Sequence, residues 1–302
     1  MTNEAPFILD GKAMAKKIQS EIKDTVSEMK EKSGVVPGLA AVLAGSNPAS
    51  KMYVKMKRNR CAEAGIDSFQ HELPDDVTQD EFIRLIDDLN QDPKVHGILV
   101  QLPLPEHLDE EEILMEISLK KDVDGFHPVN IGRLAMKGRE PLFIPATPFG
   151  CLHMLREAEK NLNGFQISGS NAAVLGRSNI VGLPMALLLV HANATVTVVH
   201  SRTQDIPSAV KNADIVIGAM GRPGMIKGGW FKPGAVAVDV ATVRVEDPSA
   251  KKGYRWTGDF EFEEAKKRVA AISPVPGGVG PMTIAMLLKN TLRAAQMQAK
   301  PF

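Results

Sequence analysis

Short apolar runs alternate with longer amphipathic stretches through the first 120 residues of the chain. GLAAVLAG (38–45) and VHGILVQLPL (95–104) lack polar alternation, which is typical of strands in a parallel sheet that is covered on both faces. Between them, the apolar residues of 78–92 recur at helical spacing, and Thr78 precedes Glu81 by three residues, which predicts a capping box. The other elements predicted in this half are a helix over 49–65 that stops at Gly65, a short strand over 67–73 and a helix over 109–119. The pattern predicts a small parallel sheet.

This rhythm breaks over residues 122–150, which contain four prolines and four glycines. We interpret the segment as irregular structure that leads to a domain boundary. A connecting helix is predicted over 148–161.

A second alternation of strands and helices follows. The predicted strands cover 171–176, 194–200, 214–220 and 234–241, and the predicted helices between them cover 181–192 and 205–213. A rigid glycine–proline loop over 272–283 precedes a final helix over 281–298, with Pro281 as its first residue. We therefore predict an α/β protein with two domains, an N-terminal α/β domain (1–147) and a Rossmann-type doubly wound parallel-sheet domain (148–280), with helix 281–302 packing back on the first.

Composition narrows the function classes. The 302 residues include 36 Lys and Arg and 36 Asp and Glu, so the net charge is zero. This balance argues against nucleic-acid binding, although residues 53–60, YVKMKRNR, are locally basic. The two cysteines and seven histidines show no disulfide or metal-ligand spacing, so we expect no metal. No secretion signal and no apolar run near the ~20 residues of a membrane span is present, and we expect a cytoplasmic protein.

The stretch NAAVLGRSNIVGLPMALLL predicts a phosphate-binding turn. A strand ends at Gly176 and a helix begins near Val181, so free amide groups at the helix start can bind phosphate. The motif departs from GxGxxG, because Ser178 replaces the second glycine and Gly182 falls one position late. Taken alone, the turn leaves open a purely geometric role for its glycine.

The end of the next strand favours NADP over NAD. NAD-binding folds place an acidic residue there for the ribose hydroxyl, whereas this chain has His200, Ser201, Arg202 and Thr203. With Arg177 in the first turn, arginines and hydroxyls suit an additional phosphate. The alternative is that Arg202 is an ordinary surface residue.

Several stretches together resemble the bifunctional methylenetetrahydrofolate dehydrogenase/methenyltetrahydrofolate cyclohydrolase family. They are YVKMK, GILVQLPLP, KDVDGFHPVNIGRL, PATPFGCL, VLGRSNIVGLPMALLL, NATVTVVHSRT, NADIVIGAMGRPGMI and PVPGGVGPMTIAMLL. The resemblance implies a folate cleft between two domains, NADP-dependent oxidation of 5,10-methylenetetrahydrofolate, hydrolysis of the methenyl product to 10-formyltetrahydrofolate, and a homodimer.

The resemblance also implies a catalytic group of four residues. Tyr53 and Lys57 are four apart and share one face of the predicted helix. In the family, the matching tyrosine packs against the substrate, the lysine transfers protons, a glutamine at Gln101 binds the lysine, and an aspartate at Asp124 holds the pterin. A lysine in this role needs a pKa lowered from about 10.4 toward 7 or 8. From the residues alone, an exposed lysine is the favoured interpretation of Lys57, and a turn aspartate is a common alternative for Asp124. For Gln101 the alternative is a strand-end glutamine that faces water, but the adjacent LPLP favours the site.

Further site residues follow from the resemblance. The residues expected to bind substrate are Tyr53, Lys57, Val100, Gln101, Leu102, Asp124, Pro276, Gly277, Gly278 and Val279. The residues expected to bind the cofactor are Gly176, Arg177, Ser178, Ile180, His200, Ser201, Arg202, Ala219, Gly221 and Thr242.

The chain also departs from the family pattern. Ala241 and Thr242 stand where the family has glycine and isoleucine, and GDFEF replaces GDVDF. The first change bears on cofactor affinity or on the orientation of the nicotinamide. Two alternatives remain at this point: another NADP-dependent dehydrogenase, such as one acting on a hydroxy acid, and an inactive relative that only binds folate or nucleotide.

Overall fold

A computed structural model describes residues 5–250 and 252–299. It divides into two compact units. The nucleotide unit, as we name it, contains residues 5–15 and Thr147–Thr283, and the lysine unit contains Lys16–Ala146 and residues 284–299. The strands are β1 Phe7–Ile8, β2 Gly38–Ala44, β3 Asp67–Leu73, β4 Gly97–Val100, β5 Asn171–Leu175, β6 Thr195–Val199, β7 Ile215–Gly218, β8 Val236–Asp239, β9 Val243–Glu246, β10 Tyr254–Thr257 and β11 Ala271–Ile272. The α-helices are α1 Gly11–Ser33, α2 Pro48–Ala64, α3 Gln79–Gln91, α4 Glu110–Glu116, α5 Pro128–Ala135, α6 Ala146–Asn161, α7 Gly182–His191, α8 Ile206–Lys211, α9 Phe262–Ala265 and α10 Val279–Ala299.

The nucleotide unit is built on a six-stranded sheet in the order β1-β11-β8-β7-β5-β6, and every pair in it is parallel. Strands β7 and β8 are buried along their whole length, as expected for apolar runs without alternation. The chain runs from β5 outward to β6 and then returns to β7 on the other side of β5. The carboxyl ends of β5 and β7 therefore mark the topological switch point, where open α/β sheets bind ligands.

The lysine unit has a three-stranded parallel sheet in the order β3-β2-β4. Central strand β2 is completely buried. One face packs against α3 and α4 through apolar residues that include Val42, Phe82, Ile86 and Ile113. The predicted two-domain α/β fold with parallel sheets is confirmed.

Helices α2 and α3 of this unit have the end caps that their sequences predict. Thr78 and Glu81 make the reciprocal capping box at the start of α3. Helix α2 begins after Asn47, whose side chain accepts hydrogen bonds from Ala49 N and Ser50 N, and it ends at Gly65 in the left-handed region (φ 75°).

Some elements differ from the sequence-based expectations. Segment 122–150, expected to be irregular, contains α5, whose start is favoured by Pro128 at the first turn and by the ring of His127, which accepts from Val129 N. Strand β4 is shorter than predicted and ends at Val100, before two prolines that have no N–H to donate. Helix α10 begins at Val279, so Pro281 is its third residue rather than its first.

Helix α1 and the antiparallel pair β9–β10 were not predicted. The signal for α1 is present in the sequence, because Ala15, Ile18, Ile22 and Val26 repeat every three or four residues and all four are buried. Residues 5–15 lie in the nucleotide unit, where β1 pairs with β11. The sequence places these residues in the first domain, because the pairing of β1 with β11 is long-range and has no local pattern.

No helix within the described ranges combines the length and apolar character needed to cross a bilayer.

Candidate active site

Helix α2 and strand β4 bring Lys57 and Gln101 together. Lys57 Nζ donates a hydrogen bond to Gln101 Oε1 over 3.0 Å. The amide of Gln101 is itself oriented, because its Nε2 donates to Leu102 O (2.7 Å) and its backbone N–H donates to Val42 O (2.8 Å). The structure thus brings together the two side chains that the family resemblance pairs.

Lys57 and Asp124 share a partly buried environment. Burial lowers the pKa of Lys57, and the nearby negative charge of Asp124 opposes this shift. Burial raises the pKa of Asp124 to about 6, and the charge of Lys57 opposes it. Burial is the largest cause for both groups, so it moves both toward their neutral forms. Burial therefore brings the two pKa values closer together, which favours proton transfer at this site.

A set of buried polar side chains holds the segment that carries Asp124. The carboxylate of Asp122 accepts from His127 N (2.9 Å), Phe126 N (3.1 Å) and Asn130 Nδ2 (2.7 Å). Asn290 on α10 donates to the carbonyl groups on both sides of the segment, at Val123 O (2.8 Å) and Ile144 O (2.9 Å). Sequence reasoning missed Asp122, Asn130 and Asn290, although Asp122 and Asn130 lie inside the quoted stretch KDVDGFHPVNIGRL.

Tyr53 lies one turn before Lys57 on α2 and is half-buried. Its neighbours in the basic stretch differ from Lys57, because Lys55, Arg58 and Arg60 are all exposed. The basic stretch is therefore not a continuous charged patch, and one of its cations points into a partly buried environment.

Residues Pro276–Val279 belong to the nucleotide unit, where Pro276–Gly278 form a tight turn and Val279 begins α10. Gly278 N donates to Pro274 O (2.8 Å), and Gly277 has φ 109°. A Cβ atom on Gly11, the first residue of α1, would overlap Gly278 O, so this turn requires glycine where α1 begins. Contact between residues Pro276–Val279 and the substrate remains a prediction.

The predicted nucleotide turn lies at the switch point of the six-stranded sheet. Gly176 follows β5 with φ 130°, and a Cβ atom there would overlap Ala219 O after β7. A Cβ on Gly182 would in turn overlap Gly176 O. Ser178 Oγ accepts from Val181 N (3.2 Å) and Gly182 N (3.4 Å) at the start of α7. The turn is therefore as close-packed as a dinucleotide-binding turn, with the serine hydroxyl holding two of the amides.

The loop after β6 presents cations and hydroxyl groups. Ser201 and Arg202 are exposed there, and Arg202 N donates to His200 Nδ1 (3.2 Å). The next acidic residue, Asp205, caps α8 by accepting from Ser208 N (3.0 Å). The carboxylate of that residue is already engaged, and the loop fits a ribose phosphate better than a bare ribose hydroxyl.

The other predicted cofactor residues lie along the same edge of the sheet. Ala219 and Gly221 follow β7, Thr242 follows β8 and is exposed, and Arg177 and Ile180 are exposed in the turn after β5. Two buried aspartates at this edge, Asp239 and Asp259, were not singled out from the sequence. Their sequence signal was their position in two stretches that depart from the family pattern, AVDVATVRVED (237–247) and GDFEF (258–262).

Two family models match the chain. The model described as the catalytic domain of tetrahydrofolate dehydrogenase/cyclohydrolase matches residues 9–124, and the NAD(P)-binding domain model of the same family matches residues 145–299.

Curated relatives agree over nearly the whole chain. Bifunctional protein FolD 2 of Arabidopsis thaliana is 57% identical over 289 residues, which cover 96% of this chain and 95% of the relative. Bifunctional protein FolD of Brucella ovis is 50% identical over 289 residues, which cover 95% of each.

Solved structures agree as well. The Trypanosoma brucei methylenetetrahydrofolate dehydrogenase-cyclohydrolase, complexed with NADP and an inhibitor, is 43% identical with a TM-score of 0.93 and covers 99% of this chain and 100% of that one. The Campylobacter jejuni bifunctional FolD structure is 44% identical with a TM-score of 0.90 and covers 97% and 99%. The chain therefore belongs to the tetrahydrofolate dehydrogenase/cyclohydrolase family.

Proposed function

We propose that Lys57 is the proton-transfer group of a bifunctional folate enzyme. The protein oxidises 5,10-methylenetetrahydrofolate to the 5,10-methenyl cation and reduces NADP to NADPH, and it then hydrolyses the cation to 10-formyltetrahydrofolate. The observation that supports the role of Lys57 is its hydrogen bond to Gln101 beside the carboxyl group of Asp124.

Three residues of the lysine unit have different roles in the proposed reaction. Gln101 Oε1 accepts a hydrogen bond from Lys57 Nζ and so fixes the direction of that group. In hydrolysis, a water molecule adds to the methenyl carbon and loses both of its protons as its oxygen becomes the formyl oxygen. One C–N bond of the five-membered ring breaks as its nitrogen gains one proton, and the other proton is released to solvent. Lys57 carries protons between these atoms, for which a lowered pKa is required. Asp124 binds the donor-rich edge of the pterin.

The nucleotide unit fits NADP. The turn at Gly176 requires glycine, as a dinucleotide-binding turn does, and it leads into the start of α7, where a pyrophosphate would bind. Arg177, Ser201 and Arg202 supply the positive charge and hydroxyl group that suit the additional phosphate. When bound, NADP accepts the hydride that leaves the methylene carbon.

Two alternatives are less well supported. A hydroxy-acid dehydrogenase is not favoured, because both family models are those of folate enzymes. An inactive relative is opposed by the intact bond between Lys57 and Gln101.

The test of this assignment is Lys57→Ala. We expect hydrolysis of methenyltetrahydrofolate to fall at least about 100-fold, because removing a positioned acid–base group costs a factor of that order. NADP affinity, measured by calorimetry, should stay nearly unchanged. Lys55→Ala is the matched control, because Lys55 is exposed on the same helix. A normal hydrolysis rate in Lys57→Ala would overturn the assignment. Failure of the folded wild-type protein to form NADPH from NADP and methylenetetrahydrofolate would overturn the dehydrogenase function.

The assembly and the location are also proposals. The resemblance to the family supports a homodimer, and light scattering after size exclusion should give twice the mass of one chain. A cytoplasmic location is our second proposal, although relatives include chloroplastic and mitochondrial proteins. Fractionation of the source cells decides between these compartments.

A further inference from the structure

Two aspartates at the carboxyl edge of the six-stranded sheet are almost completely buried. Asp239 is 3% exposed and ends β8, and Asp259 is 0% exposed and follows β10. Within the described ranges, neither carboxylate takes part in a salt bridge, and the hydrogen bonds assigned to both come from backbone N–H groups. Burying a carboxyl group costs free energy, and here only backbone N–H groups compensate for that cost. The two carboxyl groups therefore call for a structural explanation.

Asp239 ties the end of β8 to the chain that follows β10. Its Oδ1 accepts from Ala241 N (3.2 Å) and Asp259 N (3.0 Å), and its Oδ2 accepts from Phe260 N (2.8 Å). A Cβ atom on Gly258 would overlap this carboxylate, so glycine at that position is required for the approach. The backbone of Asp259 is thereby placed by the side chain of Asp239.

Asp259 in turn orders the loop that follows β7. Its Oδ2 accepts from Met220 N and its Oδ1 from Arg222 N, both over 2.6 Å, and the Gly221 N–H between them lowers the pKa of this carboxyl group. Three successive amides therefore converge on one carboxylate. Such a concave array of N–H groups normally binds an anion, and here a side chain of the protein occupies it.

The loops ordered in this way are the ones that carry predicted cofactor contacts. Ala219 and Gly221 lie in the loop held by Asp259, and Thr242 directly follows Ala241, which is held by Asp239. The carbonyl oxygen of Ala219 also lies against Gly176 in the phosphate-binding turn. A shift of the loop after β7 would therefore change the wall of that turn.

We propose that Asp239 and Asp259 are linked positioning residues that hold the β7 and β8 loops in the conformation that binds NADP. The inference rests on the proposed function, because it assigns the cofactor to this edge. Burial raises the pKa of Asp239 to about 7 and also raises the pKa of Asp259, while the N–H donors oppose both shifts. The N–H donors therefore favour the charged acceptor form of both groups against the effect of burial.

The test uses Asp259→Asn and Asp239→Asn in the full-length protein. Asparagine keeps the shape of the side chain but turns one acceptor oxygen into an NH₂ group that faces a backbone N–H. We expect the Kd for NADP, measured by calorimetry without folate, to rise about tenfold in each. The KM for NADP should rise with it, while kcat at saturating NADP changes less.

Two controls separate positioning from a general loss of structure. Hydrolysis of methenyltetrahydrofolate without NADP should stay within about twofold of wild type, because it depends on the lysine unit. Asp214→Asn removes a carboxylate of the same unit that accepts from Asn171 N (2.9 Å) at the opposite edge of the sheet, and its Kd for NADP should also stay within about twofold. In the double variant Asp239→Asn/Asp259→Asn, the increase in Kd should be smaller than the product of the two single increases, because one carboxylate places the other.

An unchanged Kd in folded Asp259→Asn would overturn the inference. If the variants do not fold, hydrogen exchange in the wild type decides: saturating NADP should slow exchange of the Met220, Arg222 and Ala241 amides, and no change would overturn the inference. A wild-type protein that binds no NADP would instead overturn the proposed function.

Discussion

At the scale of single residues, the site depends on what burial does to charge. The amine of Lys57 lies next to Gln101 and near Asp124, where burial favours its neutral form and the carboxylate favours its charged form. The balance between these two effects sets the fraction of neutral lysine. Lys55, on the same helix, is exposed.

Asp124→Asn should lower the pKa of Lys57 still further. The negative charge of Asp124 raises the lysine pKa, so its removal leaves burial less opposed, and the ammonium should lose its proton at a lower pH. The measurement is NMR titration of ¹³C-methylated lysines, with the Lys57 signal assigned by its absence in Lys57→Ala. Asp75→Asn, which changes the carboxylate that accepts from Ser46 N, is the control and should leave this titration unchanged. A Lys57 pKa that rises in Asp124→Asn contradicts the coupling.

At the scale of elements, helices and strands carry the site residues to fixed places, and buried amides fix the connecting segments. Strand β4 ends one residue before Gln101, and the oriented amide of Gln101 then meets Lys57 on α2. Segment 122–130 has no sheet of its own beyond one bridge to Ile98, so side chains from α5 and α10 hold it.

Asn290→Ala should destabilise the protein by about 1–3 kcal/mol, because it removes the donor from two carbonyl groups in a buried environment. We also expect weaker binding of methenyltetrahydrofolate, seen as a higher KM, since Val123 O adjoins Asp124. Urea unfolding and steady-state kinetics provide the two measurements. Asn161→Ala on α6 is the control, because Asn161 bonds only within its own exposed helix end, and it should change stability by less than about 0.5 kcal/mol. Equal effects of the two substitutions would rule out a special role for Asn290.

At the scale of the whole molecule, the chain forms two units, each with its own parallel sheet. The lysine unit holds the Lys57 group, and the nucleotide unit holds the turn at Gly176. The proposed proton-transfer group and the proposed cofactor turn therefore lie in different units, so that each can be altered while the other is measured.

Hydrogen exchange should show this division. NADP should slow amide exchange mainly at the carboxyl ends of β5, β7 and β8, because a ligand stabilises the segments that it orders. The sheet β3-β2-β4 should change little with NADP alone. Strong protection of that sheet by NADP, without change at the Gly176 turn, would contradict the assigned cofactor site.

The sequence by itself determined the helices and strands that depend on interactions between residues close together in the chain. The capping box at Thr78, the stop at Gly65 and the apolar strands follow from propensities and hydrogen bonds within a few residues, and the structure contains all of them. The family motifs likewise pointed to Lys57, Gln101 and Asp124.

Only the tertiary structure decided the rest, because it depends on groups far apart in the chain. Asp259 lies 37 positions from Arg222 in the loop after β7, and Asn290 lies 167 positions from Val123. The paired strands β1 and β11 are farther apart still. No local pattern encodes such contacts, and the pKa values of Lys57 and Asp124 depend on burial that exists only once the chain has folded.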